Sequence, residues 1–229
     1  MTNDAWPTID PAVWALRPDY AAVSIRAGGA RNGPSALFAE TGIVAITPDD
    51  LTFAPWAAAH LEAWREAFRA FGTKPQRTPC SAEALRKRVE RDGALPAINA
   101  VVDLYNAVSV RYAVPIGGED MAKYQGIPTL VRATGSEPFE TMKDGAPFTE
   151  LADAGEVIWR DERDVTCRRW NWRQSPRTGL GADTTEMWFI VERLDPMPMK
   201  DLEAAGDALL SGLKRLAPSA GFDTRLLAR

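Results

Sequence analysis

The chain has 229 residues, 45% of them hydrophobic, and a net charge of −4, which is typical of a globular protein with its own core. The charge argues against a globally basic nucleic-acid binder, although a local basic patch is compatible with it. The two cysteines form no CxxC motif, the N-terminus carries no signal peptide, and no apolar run approaches the roughly 18 residues of a membrane span, so we expect a reduced, cytoplasmic protein.

The first seventy residues combine short strands with one helix. Residues 20–25 and 42–46 are apolar runs separated by Gly and Pro, which predicts strands. An amphipathic helix begins at Pro55 and ends at Gly72. His60 lies beside its apolar stripe and is interpreted as a structural residue. Because it is the only histidine, a Ser-His-Asp triad would need it, and a His-rich zinc site is excluded.

Two further helices follow. Ser81 is the predicted cap of the first, and Gly93 ends it. Its cations form either a solvated face favoured by the helix dipole or a phosphate-contacting face; they are Arg86, Lys87, Arg88 and Arg91. The second helix spans residues 98–109 and is apolar on most of its circumference, so each of its polar side chains is either a hydrogen-bond node or part of a site. These side chains are Asp103, Asn106 and Ser109.

The second half of the chain is predicted to be rich in strands. Gly117 and Gly118 lie in a predicted loop, residues 127–132 form a strand, and residues 135–154 form a loop or irregular hairpin. Residues 155–161 and 164–174 form an antiparallel hairpin. Residues 175–181 are a loop, residues 187–191 a strand, and residues 200–216 an amphipathic helix.

The segment 164–174 is unusual because it holds three arginines and two tryptophans in eleven residues. Alternation along a strand would place Arg168, Trp170 and Trp172 on one face, and Arg169 and Arg173 on the other. Buried arginines need anionic or carbonyl partners, so a site is expected nearby, and at least one arginine should pair with a carboxylate. The order of predicted elements favours an α+β fold, with a mixed or antiparallel sheet and packed helices.

Several segments in order resemble one family. They are residues 101–106, 117–120, 130–133, 155–161 and 167–173. Together they resemble the B3/B4 domain of the phenylalanyl-tRNA synthetase β subunit in its free-standing form. The resemblance covers roughly residues 55–195 and implies one domain over 1–229, on whose core the N-terminal strands 1–50 and the C-terminal helix 200–216 pack. It also implies that the chain does not itself charge tRNA.

In the synthetase this domain hydrolyses tyrosine wrongly attached to the phenylalanine tRNA. Its His-Ala-Phe-Asp stretch corresponds to Gly117, Gly118, Glu119 and Asp120, so the aspartate matches and the histidine does not. The resemblance therefore implies a tRNA-related pocket and leaves the amino acid open. It implies a tRNA acceptor end as partner, with no DNA, membrane, metal or cofactor.

Hydrolysis of an activated ester needs a positioned water and donors to the developing oxyanion, and both can be supplied without histidine. The candidate catalytic residues are Asn106, Gly117 and Gly118. The candidate substrate-binding residues are Asp103, Ser109, Glu119, Asp120, Glu156, Trp170, Asn171 and Thr185. The candidate RNA contacts are Arg168, Arg169, Arg173 and Arg177.

Three functions remain open from the sequence. The first is trans-editing hydrolysis of a mischarged aminoacyl-tRNA. The second is a non-catalytic tRNA- or RNA-binding module, and the third is a binder of a small molecule such as an amino acid. Cys167 is interpreted as a buried structural cysteine rather than a nucleophile.

Overall fold

The computed structural model describes residues 6–229. Five α-helices occur in this range: α1 (Pro11–Leu16), α2 (Ala57–Ala70), α3 (Ser81–Asp92), α4 (Ala100–Tyr112) and α5 (Met199–Leu216). None of these helices has the length and apolar character needed to cross a membrane.

Two sheets and a hairpin complete the fold. The five-stranded sheet contains, in spatial order, β1 (Thr8–Ile9), β4 (Thr129–Arg132), β7 (Val157–Arg160), β8 (Val165–Arg168) and β9 (Arg173–Gln174). The four-stranded sheet contains β11 (Gly221–Leu227), β2 (Ala21–Gly28), β10 (Glu186–Arg193) and β3 (Ile116–Asp120). A separate hairpin joins β5 (Pro138–Lys143) and β6 (Ala146–Leu151). Only the β1–β4 pairing is parallel, so the predicted α+β class with a mixed sheet is confirmed.

Strand β10 shows how the layers form, because its side chains alternate between two cores. Met187, Phe189 and Val191 pack on one side against α4 and α5. Trp188 and Ile190 face the opposite side, towards the five-stranded sheet and α2. The four-stranded sheet is therefore covered by helices on one face and by the second sheet on the other.

The space between the two sheets, called the seam here, is filled mainly by aromatic side chains. Trp159 of β7 and Trp188 of β10 meet across it with ring centroids 4.9 Å apart. Trp170 contacts both Trp64 of α2 and Tyr20, each at 5.2 Å. Edge-on aromatic contacts of this kind stabilise a packing arrangement beyond the area that they bury.

The N-terminal segment completes the sheets. The strand predicted at 20–25 is confirmed as β2, which lies inside the four-stranded sheet. The strand predicted at 42–46 is wrong, because this segment is irregular and Ile46 packs on α4 instead of pairing with a strand. The predicted role of Ser81 as a cap is also wrong: Cys80 is the cap position, and Ser81 is the first helical residue.

Two predictions in the second half of the chain are wrong as well. Gly117 and Gly118 lie in β3 rather than in a loop, and each faces its partner on β10. The predicted strand 164–174 ends at Arg168, because Arg169 and Trp170 adopt left-handed backbone conformations with φ of 49° and 66°. The chain reverses there and returns as β9. The predicted alternation of faces therefore fails beyond Arg168. The segment 135–154 forms a regular hairpin, and β11 was not predicted.

The two glycines of β3 differ in the space around them, which gives a test of the packing. A Cβ on Gly118 would lie 2.9 Å from the Phe189 ring and 3.1 Å from the Tyr105 ring, whereas a Cβ on Gly117 would make ordinary contacts at 3.4 and 3.5 Å. Gly118→Ala should therefore lower the free energy of unfolding by about 1–3 kcal/mol. Chemical denaturation measures this, with Gly117→Ala as the matched control. Equal stability of the two variants would contradict the packing described.

Candidate functional site

A cavity of about 280 Å³ opens at the end of the seam where the edge strands β3 and β9 approach one another. We call it the seam cavity. Its lining residues are Ser81, Ala84, Leu85, Arg88, Tyr105, Asn106, Ile116, Gly117, Glu119, Trp159, Cys167, Trp170, Asn171, Trp172, Arg173, Gln174, Trp188, Ile190 and Glu192. The cavity is slightly smaller than the roughly 300–1,000 Å³ of sites for drug-sized ligands, which suits a group of amino-acid size.

Glu192 is the polar centre of the cavity. Its Oε1 accepts hydrogen bonds from Tyr20 Oη at 2.8 Å and Trp170 Nε1 at 3.0 Å, and its Oε2 accepts one from Asn171 Nδ2 at 3.1 Å. The side chain is fully buried. Burial raises the pKa of Glu192 to about 7, although these donors favour the ionised form. Sequence reasoning missed this residue, yet it continues the alternation of β10 and lies on the same face as Trp188 and Ile190.

Glu119 is the second buried carboxyl group of the cavity. It lies opposite Trp188 in the register of β3 and β10, and its Oε2 accepts a hydrogen bond from Tyr124 Oη at 2.5 Å. Burial raises the pKa of Glu119 to about 7, so it exchanges protons near neutral pH.

The left-handed turn after β8 places Trp170 and Asn171 in the cavity. The turn is held by Arg169 N–H donating to Glu156 Oε1 at 2.7 Å and by Trp170 N–H donating to Val157 O at 2.6 Å. Two successive non-glycine residues with positive φ cost on the order of 1–3 kcal/mol each, so the surrounding contacts must enforce this conformation. Backbone strain that is maintained beside a polar cavity is typical of functional sites.

Glu156 also anchors Arg168, and neither side chain faces the cavity. Arg168 is 3% exposed, and its guanidinium contacts Glu156, Glu150 and Asp153 at 2.5, 2.7 and 3.2 Å. The expectation that one of the arginines pairs with a carboxylate is confirmed. A buried pair of this kind is costly to break from one side, because the remaining charge loses its partner.

The mouth of the cavity carries cations. Arg88 of α3 and Arg173 of β9 are both exposed, and neither forms a salt bridge within residues 6–229, although Arg88 is close enough to Asp92 for a favourable electrostatic interaction. The Arg173 guanidinium lies 4.4 Å from the ring centroid of Trp172, whose ring is also approached by Arg169 at 4.5 Å. The other three basic side chains of α3 have partners elsewhere. Arg86 donates to Val110 O and Leu51 O, Lys87 pairs with Glu83, and Arg91 pairs with Asp92.

Of the predicted catalytic residues, Asn106 and Gly117 line the seam cavity and Gly118 does not. Asn106 separates the seam cavity from a smaller cavity of about 140 Å³, and its amide makes no hydrogen bond with the part of the chain that is described. In an antiparallel ladder every second pair of opposed residues is hydrogen-bonded. Glu192 N–H donates to the opposed Pro115 O, so the opposed residues Ile190 and Gly117 are also hydrogen-bonded, and Phe189 and Gly118 are not. The N–H and the carbonyl of Gly118 therefore both point away from β10. The carbonyl accepts a hydrogen bond from Gln174 Nε2 at 3.0 Å.

Of the predicted substrate-binding residues, Glu119, Trp170 and Asn171 line the cavity. The others make structural contacts outside it. Asp103 accepts from Ser35 Oγ and from Ile98 N, and Ser109 donates to Val114 O. Asp120 accepts from Thr184 Oγ1. Thr185 is exposed, and its carbonyl accepts from Ala30 N.

Of the predicted RNA contacts, Arg173 lines the cavity. Arg169 does not line it, but its guanidinium contacts the ring of Trp172, which does. Arg168 and Arg177 are buried in ion pairs, Arg177 with Asp161 and Asp164. We therefore remove Arg168 and Arg177 from the predicted RNA contacts, since their guanidinium groups are already neutralised by carboxylates.

The histidine and the cysteine do not provide a nucleophilic pair. His60 is fully buried in α2, where Nδ1 contacts Ala113 O at 2.9 Å and Nε2 accepts from Trp64 and Leu194. Burial lowers its pKa to about 4, and the structural interpretation of His60 is confirmed. Cys167 lines the cavity, but burial raises the pKa of its thiol well above the ordinary range. Within residues 6–229, no three His, Cys, Asp or Glu side chains are arranged to hold a metal ion.

The buried Glu119 should make stability depend on pH in a defined direction. Its pKa is raised from 4.5 to about 7 on folding, so the folded state holds this proton more tightly than the unfolded state. Its contribution to the free energy of unfolding is therefore complete below pH 4.5 and is lost as the pH rises through 7. Relative to the wild type, Glu119→Gln should gain on the order of 2 kcal/mol of unfolding free energy between about pH 5 and about pH 8. Urea denaturation at both pH values measures this. Glu62→Gln on the surface of α2 is the control and should show no gain, because Glu62 is half-buried and stays ionised over this range. Parallel profiles for wild type and Glu119→Gln would contradict the assignment.

Three comparisons with known proteins were made, and one of them assigns a family. A computed likeness to a solved structure, an N-terminal fragment of the phenylalanyl-tRNA synthetase β subunit from Pyrococcus horikoshii, has 11% sequence identity and a TM-score of 0.43, which is too low to support an inference. The match covers 96% of this chain and 50% of that fragment, so the chain spans about half its length. No curated protein sequence matches. The family model described as the B3/4 domain matches residues 63–205, well over half of the chain, and the chain therefore belongs to the B3/4 domain family.

Proposed function

We propose that this chain hydrolyses the ester bond of an aminoacyl-tRNA, with the aminoacyl group in the seam cavity and the acceptor end of the tRNA at its mouth. The observation that carries the proposal is the charge arrangement of one small cavity. Buried polar groups line its interior, while Arg88 and Arg173 lie at its opening and form no salt bridge in the described chain. Exposed arginines at the mouth of a site are suited to phosphates.

The family supports the same substrate class. The matching region includes α4, β3, the left-handed turn and β10, which are the elements that build the cavity. The sequence resemblance to the B3/B4 domain of phenylalanyl-tRNA synthetase falls on these elements too. The amino acid released is not assigned by this resemblance, because Gly117 stands where the synthetase has histidine.

The chemistry requires few protein groups. A water attacks the ester carbonyl, the bond from the carbonyl carbon to the ribose oxygen breaks, and the ribose hydroxyl receives a proton, leaving the free amino acid. Asn106, whose amide is unengaged, would orient the water, and Gly118 N–H would donate to the developing oxyanion. Glu119 would take the proton of the water, because its pKa of about 7 suits that exchange near neutral pH. The vicinal ribose hydroxyl can assist the proton transfer.

A second candidate is RNA binding without catalysis. It is favoured by the exposed Arg173 stacked on Trp172, which can contact phosphates and bases without any chemistry. Arg169, on the same ring, is itself ion-paired with Asp153 and Glu156. The two functions differ in whether the ester is broken, so one experiment separates them.

The test is deacylation of a complete panel of aminoacyl-tRNAs, followed as release of the amino acid. We expect wild-type protein to accelerate the release of at least one amino acid. Gly117→Ala, which keeps the fold but adds a methyl group to the cavity floor, should slow that release by roughly tenfold or more. Intact esters across the whole panel, with binding retained, would establish the second candidate instead.

The mouth is tested separately by salt dependence. Arg88→Ala and Arg173→Ala should each weaken tRNA binding roughly uniformly across sequences and reduce the slope of log affinity against log salt by about one. Arg91→Ala is the matched control on α3, since Arg91 is paired with Asp92 outside the cavity. Unchanged slopes in both mouth variants would place the tRNA elsewhere.

A further inference from the structure

Strand β11 forms the outer edge of the four-stranded sheet. Within residues 6–229, β2 is the one strand that pairs with it. The pairing continues over the whole of β11 without a bulge, and the strand contains no proline. An edge of this kind, whose outer hydrogen-bonding groups have no partner strand, is a template for pairing with another chain.

The backbone groups that β11 directs outward follow from the ladder of the sheet. Each residue of an antiparallel strand bonds to one neighbouring strand, and the next residue bonds to the other. Glu192 bonds to Pro115, so the even-numbered residues of β10 bond to β3 and the odd-numbered ones to β2. The even-numbered residues of β2 therefore bond to β11, where they oppose its odd-numbered residues. The N–H and C=O groups of Phe222, Thr224 and Leu226 consequently point outward.

A second copy of β11 can satisfy these groups in an antiparallel pairing about a two-fold axis. When the axis passes beside Thr224, this residue lies opposite its own copy, and Phe222 lies opposite the partner's Leu226. All the outward-facing residues of both strands then form hydrogen-bonded pairs, and each pair exchanges two hydrogen bonds.

The charges of β11 select this register over the neighbouring ones. Asp223 and Arg225 are exposed on the same face of the sheet and form no salt bridge within residues 6–229, although the Arg225 guanidinium lies 5.1 Å from the Trp6 ring centroid. In the register about Thr224, Asp223 of each copy lies opposite the partner's Arg225. An axis at Asp223 would oppose two aspartates, and an axis at Arg225 would oppose two arginines. Opposite charges stabilise a cross-strand pair and like charges destabilise it.

The other face of β11 carries apolar side chains that the same register covers. Leu226 is 47% exposed and Phe222 is half-buried. Gly206 of α5 lies directly over Val23 of β2, so the helix leaves the outer edge of β11 uncovered. Setting Phe222 of each copy opposite the partner's Leu226 removes apolar surface from water.

We propose that the chain forms a symmetric homodimer in which two copies of β11 pair antiparallel about Thr224, so that the two four-stranded sheets become one continuous sheet. The seam cavity opens beside β3, which is the opposite edge of this sheet from β11. The dimer therefore carries its two cavities at opposite ends, and both stay open. The proposal is independent of what the cavity binds.

Analytical ultracentrifugation of the full chain over a range of concentrations measures the association. We expect the wild type to form a dimer that dissociates on dilution. Thr224→Pro should weaken the dimer about 10- to 100-fold, because it removes an outward N–H from each copy and none that bonds to β2. Thr224→Val keeps this N–H and is the matched control. A wild type that stays monomeric at millimolar concentration, or equal association of the two variants in their folded state, would overturn the proposal.

Charge reversal tests the register without a proline. Asp223→Arg gives β11 two cations and Arg225→Asp gives it two anions, so each variant alone opposes like charges and should associate about tenfold more weakly than wild type. An equimolar mixture of the two variants restores opposite charges at both positions and should associate as the wild type does. The double variant Asp223→Arg/Arg225→Asp, whose net charge is that of the wild type, should also dimerise.

The mixture decides the outcome even if Thr224→Pro does not fold, which circular dichroism would reveal. The contact between Arg225 and Trp6 is lost in the single variant and in the mixture alike, so its loss cannot imitate the restoration. A mixture that associates no more tightly than its components would overturn the pairing about Thr224.

Discussion

The buried carboxylate of Glu192 is the interaction on which the site depends. It lies at the end of β10 on the face that meets the second sheet, and it accepts hydrogen bonds from Tyr20, Trp170 and Asn171. These donors come from the residue before β2 and from the turn between β8 and β9, so one side chain links the two sheets at their open end. Without this acceptor the donors would be buried and unpaired, at a cost of about 1–3 kcal/mol for each.

The left-handed turn is the second half of the same arrangement. Arg169 and Trp170 hold positive φ values because Glu156 and Val157 accept their backbone N–H groups. Glu156 in turn is fixed by Arg168 at 2.5 Å. The ion pair lies outside the cavity, yet it determines where Trp170 and Asn171 project. The arginines of this segment therefore have two roles. Arg168 stabilises the turn, and Arg173 places a cation at the mouth of the cavity.

The sequence predicts secondary structure well where apolar side chains recur at a regular spacing. Helices α2, α4 and α5 were predicted because apolar residues recur at helical spacing, and β10 because its apolar run is bounded by turn residues. Gly117 and Gly118 were misplaced because glycine shows no alternation, and only pairing with β10 makes the segment a strand. Strand β11 is mostly exposed and depends on β2 for its conformation.

The candidate site was predictable in part for the same reasons. Asn106, Gly117, Glu119, Trp170, Asn171 and Arg173 were singled out and do line one cavity. Glu192 was missed because a charged residue that follows an apolar run usually indicates that the strand has ended, not that the residue is buried. The turn at Arg169 was missed because neither it nor Trp170 is a residue type that favours positive φ, and tertiary hydrogen bonds impose the conformation.

The central claim is that the aminoacyl group lies in the seam cavity with the RNA phosphates at Arg88 and Arg173. The most direct measurement is a crystal structure with a short RNA acceptor end that carries an amino acid through a stable amide. We expect the amino acid between β3, β10 and the turn, with the phosphates at the mouth. RNA bound with the seam cavity empty, or with a phosphate inside it, would contradict the account.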